Sequence, residues 1–93
     1  MEQGNGIKVY VRVKVQFDEE GRMRPQAILW EDGRRFEIEK VTDIRPAPAL
    51  RAGGQGDRYT VRIGKRESYL FFERLAFPAG CVQGRWFVER RRG

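Results

Sequence analysis

Ile7-Lys8-Val9-Tyr10-Val11-Arg12-Val13-Lys14-Val15-Gln16-Phe17 is the stretch whose reading decides the fold. Apolar Ile7, Val9, Val11, Val13, Val15 and Phe17 alternate with Lys8, Tyr10, Arg12, Lys14 and Gln16. A strict period of two in β-branched residues predicts a long strand with one buried face. At about 3.3 Å per residue it spans roughly 35 Å, long enough to bend around a small core. Asp18-Glu19-Glu20-Gly21 follows as a polar turn ending in glycine.

Downstream, Ala27–Trp30 and Arg34–Glu39 flank Glu31-Asp32-Gly33, and Asp-Gly between apolar runs is a strong hairpin signal. Two registers compete. A two-residue Asp32-Gly33 loop sets Leu29 opposite Phe36. A three-residue loop, a type I turn with Gly33 left-handed in a bulge, sets Ile28 opposite Phe36 and gathers Ile28, Trp30, Phe36 and Ile38 on one face. A one-residue slip flips every side chain, so burial selects the bulged form.

Val41 to Ala52 reads as the end of a strand followed by an irregular crossing, because Pro46 and Pro48 exclude a central strand. Gly53–Asp57 reads as a flexible loop, with a fourth strand at Tyr59–Ile63 and a turn at Gly64–Glu67. A fifth strand at Ser68–Glu73 is apolar enough for burial on both faces. Arg74–Gly84 is expected to be a long loop, with one helical turn over Glu73–Phe77 as the alternative. Trp86–Glu89 is the last strand. With no sustained helical period, the expectation is an all-β fold: a six-stranded antiparallel meander curled into a small barrel, SH3-like or OB-like. Residues 1–6 are expected to be a flexible N-terminus, 7–89 a single domain, and 90–93 a basic tail.

The chain has 93 residues, a length that suits one modest core. It has no run of apolar residues long enough to span a membrane, and its start lacks the pattern of a signal peptide. The single cysteine, Cys81, cannot form an internal disulfide, which favours a reducing, cytoplasmic setting.

Charge is uneven. The net charge is +6, with residues 1–43 contributing −1 and residues 44–93 contributing +7. Such asymmetry points to a polyanionic partner, nucleic acid above all. Lys8, Tyr10, Arg12 and Lys14 share the solvent side of the first strand, about 7 Å apart. Arg58, Arg62, Arg85, Arg90, Arg91 and Arg92 can extend that field. Fifteen of the 19 basic residues are arginine, which pairs phosphates bidentately and stacks on bases. Trp30, Trp86, Phe36, Phe71 and Phe72 are assigned to the core.

Catalysis is disfavoured by composition. Without histidine, the Ser-His-Asp and Cys-His arrangements are closed, and one cysteine cannot build a zinc site. Gly53-Gly54-Gln55-Gly56 leads into a strand rather than a helix, unlike a phosphate loop. Lys65 and Ser68 are explained as residues of a turn. No enzyme, metal or cofactor is expected.

Three stretches carry a family likeness: Leu29–Ile38 with Val41-Thr42-Asp43, Tyr59–Ile63, and Gly84–Glu89. Together the chain resembles a family of small uncharacterised bacterial all-β proteins. That resemblance implies a bacterial, cytoplasmic β-domain and carries no site residue. The expected function is a non-catalytic binding module, with nucleic acid as leading partner. The alternative is a protein-interaction module, such as a homodimer.

Overall fold

The computed structural model describes residues 6–47, 56–75 and 83–91. Seven strands follow in chain order: β1 (Gly6–Phe17), β2 (Met23–Leu29), β3 (Arg35–Glu37), β4 (Lys40–Pro46), β5 (Gly56–Ile63), β6 (Arg66–Leu75) and β7 (Gln83–Arg91). No helix occurs among the described residues. Every pairing is antiparallel, in the order β3-β2-β1-β7-β6-β5-β4.

The first strand joins two ladders. Its N-terminal part pairs Gly6–Val11 with β7, and its C-terminal part pairs Arg12–Phe17 with β2. The opposite edges of the sheet, β3 and β4, are separated by only Ile38 and Glu39. Glu37 and Lys40 therefore stand no more than about 11 Å apart along the chain, and a flat sheet of this order is impossible. The sheet has to curl, and it forms a half-barrel.

That corner accounts for seven strands where six are expected. Ile38 N–H donates to the Gln26 carbonyl at 2.9 Å, whereas Glu39 N–H donates to the Arg62 carbonyl at 2.8 Å. Consecutive residues bond to β2 and to β5, toward opposite ends of the strand order, which splits one run of sequence into two strands. Where the end of a strand and an irregular crossing are expected over Val41–Ala52, Lys40–Pro46 form the edge strand β4, and residues 48–52 lie outside the described residues. Pro46 is tolerated because an edge needs no donor on its outer side.

Other expected boundaries also move. Gly56 and Asp57 belong to β5 rather than to a loop, and Arg74, Leu75, Gln83 and Gly84 extend β6 and β7. Arg90 and Arg91 pair with Ile7 and Gly6, so the basic tail expected from Arg90 starts as strand. Of the flexible N-terminus expected over residues 1–6, Gly6 instead opens β1; residues 1–5, Gly53, Gly54, Cys81 and Arg92 lie outside the described residues.

The bulged hairpin register is observed. Ile28 pairs with Phe36, Trp30 N–H donates to the Arg34 carbonyl, Gly33 N–H donates to the Trp30 carbonyl, and Gly33 has φ of 94°. The β1–β2 turn repeats the pattern: Gly21 has φ of 81°, and Asp18 N–H bonds to Arg22. The Asp18 carboxylate accepts the N–H groups of Arg22 and Glu20 at 2.9 Å, which holds its pKa below the usual range against the opposing effect of desolvation. Replacing Gly33 by Val is expected to destabilise the protein by about 1–2 kcal/mol, because a β-branched residue is forced into the left-handed region. Urea unfolding measures it, and an unchanged midpoint would contradict the bulge.

The inner side of the curl holds the core. Ile28, Tyr59, Val61, Leu70 and Trp86 are buried, with Val11, Val13, Val15, Trp30, Phe36 and Ile38 packed against them. Trp86 anchors it through Tyr59 and Phe72, at ring-centroid distances of 5.2 and 4.8 Å.

Candidate nucleic-acid interface

The outer side of the curl carries the basic residues singled out in β1 and a row of aromatics. The ladder sets Tyr10 opposite Phe87, Phe87 opposite Phe71, and Phe71 opposite Arg58, so one row crosses β1, β7, β6 and β5. Phe71 and Phe87 stack with centroids 4.9 Å apart and planes 5° apart, and Tyr10 meets Phe87 edge-on at 5.9 Å. Phe87 is only 2% exposed although it lies on the outer side. Phe71, assigned to the core by its apolarity, belongs to this outer row.

Two of the four expected β1 residues are committed to an internal partner. The Lys8 ammonium lies 3.2 Å from Glu73 Oε2, and the Tyr10 hydroxyl donates to Glu73 Oε1 at 2.7 Å. Both charged side chains are largely covered, at 18% and 11% exposure. Lys8 Nζ also sits 4.6 Å from the Phe87 ring centroid, which seals that ring from above. The Tyr10 hydrogen bond holds the Glu73 carboxyl below its ordinary pKa; desolvation opposes this and Lys8 reinforces it.

The remaining cations behave differently. Arg85 lays its guanidinium 3.4 Å from the Tyr10 ring centroid, and Arg58 lies 4.5 Å from the Tyr69 ring. The Arg58 Nε is buried without an acceptor. Arg12, Lys14 and Arg62 are exposed on the same side. None of these five makes an ion pair among the described residues, whereas Arg22, Arg24, Arg34, Arg35 and Arg45 each hold a nearby Asp or Glu.

Arg90 does not join the field. It shares the parity of Trp86 and Val88 and lines a cleft on the inner side. Arg91 closes β7 opposite Gly6. Tyr10 also differs from its expected role as a free stacking platform, since its hydroxyl is used and Arg85 occupies a ring face. Tyr69, 53% exposed, is the more open of the two tyrosines on this side, with Arg58 over one face of its ring. Glu73, Tyr69 and Phe87 were not singled out from sequence. The alternation Tyr69-Phe71-Glu73 against Arg85-Phe87-Glu89 is the signal that places them together once β6 and β7 are paired.

Chemically, the surface offers planar cations and ring faces. Comparison with protein-family models, curated proteins and solved structures finds no match to this chain.

Proposed function

We propose that the chain is a non-catalytic binding module that holds single-stranded nucleic acid across the outer side of β1, β7, β6 and β5. The observation that carries this reading is the contrast in ion pairing. Arg12, Lys14, Arg58, Arg62 and Arg85 lack a carboxylate among the described residues, while most other arginines have one. Unpaired cations attract phosphates and release their counterions on binding. Arg85 and Arg58, held flat against tyrosine rings, offer guanidinium planes on which bases stack. Single strands suit this surface better than duplex because their bases are free to reach it.

Replacing Arg12, Lys14 and Arg85 together by alanine is expected to flatten the slope of log affinity against log salt by about 2 on single strands, at about 0.7 per phosphate contact. The variant should keep its fold, losing no more than about 1 kcal/mol from the stacked Arg85. Arg22→Ala, in the β1–β2 turn, should leave the slope unchanged. Fluorescence anisotropy with a labelled oligonucleotide over a salt series reads both. An unaltered slope in the triple variant, or no binding by the parent at low salt, would overturn the proposal and favour a protein-interaction module.

A further inference from the structure

We infer that the open end of the half-barrel, whose rim arginines are distinct from the outer cations, is a binding site for a small amphipathic anion: an acyl or aryl chain ending in a carboxylate. The β6–β7 ladder runs from Leu75↔Gln83 to Phe71↔Phe87 and stops, although β6 continues back to Arg66 and β7 continues to Arg91. Leu70 with Val88 and Tyr69 with Glu89 would be the next two pairs, and Tyr69 and Glu89 line a gap instead. The gap opens into a cleft of about 610 Å³. That volume falls within the range of about 300–1,000 Å³ usual for small-molecule sites.

The floor of the cleft is an exposed continuation of the core. Ile28, Trp30 and Phe36 come from the β2–β3 hairpin, and Ile63 and Val88 come from the facing strands. These apolar groups line the cleft on its inner side, and among the described residues the space above them is open. The rim is cationic. Arg66 and Arg90 line it with no ion pair among the described residues, and Arg34 lies 5.4 Å from the Phe36 ring while holding Asp32. Glu89 is the one acidic residue in the lining. A neutral apolar ligand would leave the two unpaired guanidinium groups unused, and a cationic one would be repelled. A chain with a carboxylate head satisfies both the floor and the rim.

Isothermal titration with decanoate, decanol and decyltrimethylammonium, each kept below its aggregation threshold, tests the assignment. Decanoate should bind one-to-one, at least about tenfold more tightly than decanol, with the cation showing no saturable binding. The Arg66→Ala/Arg90→Ala variant alters exposed residues only and should weaken decanoate about tenfold while leaving decanol unchanged. The Arg12→Ala/Lys14→Ala/Arg85→Ala variant should bind decanoate as the parent does, which separates this cleft from the outer surface. Absence of saturable decanoate binding, equal affinity for decanoate and decanol, or an unaltered affinity in the Arg66/Arg90 variant would overturn the inference.

Discussion

Gly56→Ala is expected to destabilise the protein by about 3 kcal/mol, at the upper end of what overpacking costs. A Cβ at Gly56 would stand 2.2 Å from the Phe72 carbonyl oxygen and 3.3 Å from the Glu73 Cα. Both are main-chain atoms of the neighbouring strand, so relief requires β5 and β6 to separate where Gly56 pairs with Glu73. Gly84→Ala is the comparison. Its Cβ would meet the tip of the Phe72 ring at 2.1 Å. A ring can swing away where a ladder cannot, so about 1–2 kcal/mol is expected there. Urea unfolding of the two variants measures the difference. A Gly56→Ala cost below that of Gly84→Ala would show that the close approach of β5 to β6 is not a structural requirement.

Glu73→Ala is expected to cost a similar amount, about 3 kcal/mol, because removing one partner of a covered ion pair strands the other. Lys8 would remain largely covered without its carboxylate, and the Tyr10 hydroxyl would lose its acceptor. The same cluster makes stability depend on pH with a definite sign. The native Glu73 carboxyl is held below its ordinary value of 4.5. A depressed native pKa means that the unfolded chain binds the proton first as pH falls. The Glu73 contribution is therefore complete above the unfolded value and is lost as pH drops through the lower native one. Glu73→Gln, which keeps an acceptor for Tyr10, should remove that share of the acid dependence and be less damaging than alanine. Unfolding midpoints measured from neutral pH into the acid range check this. An acid profile for Glu73→Gln that parallels the parent would place the pH sensitivity elsewhere.

Both predictions depend on residues whose meaning changes once strands are paired. Gly56 sits in a glycine-rich stretch that reads as a loop, and Glu73 reads only as the last residue of the fifth strand. Glu73 is buried because Lys8 and Tyr10 reach it from β1, 65 and 63 residues away in sequence. No local pattern encodes that meeting. The same holds for the outer row. Phe71 and Phe87 are as apolar as core residues, and each belongs to a run with no polar alternation to show which way it faces.

Local patterns were enough for the parts of the fold set by neighbours in sequence. The alternation of Ile7–Phe17 predicts a long strand with one buried face; Val11, Val13 and Val15 pack on the core, whereas Ile7 and Phe17 at the ends of the strand are exposed. The Glu31-Asp32-Gly33 loop and the burial of Ile28 with Phe36 select one hairpin register, and that register is observed. Turn chemistry and period-two patterning act over a few residues, so they are legible before any tertiary contact exists. The exchange of hydrogen-bond partners between Ile38 and Glu39, the pairing of β1 with β7, and the early parting of β6 from β7 were decided only in three dimensions. Each depends on how a twisted sheet returns to itself, a closure between strands far apart in sequence. That closure leaves Lys8 on an internal carboxylate, turns Arg90 toward the cleft, and leaves Arg12, Lys14 and Arg85 facing outward without an acid among the described residues.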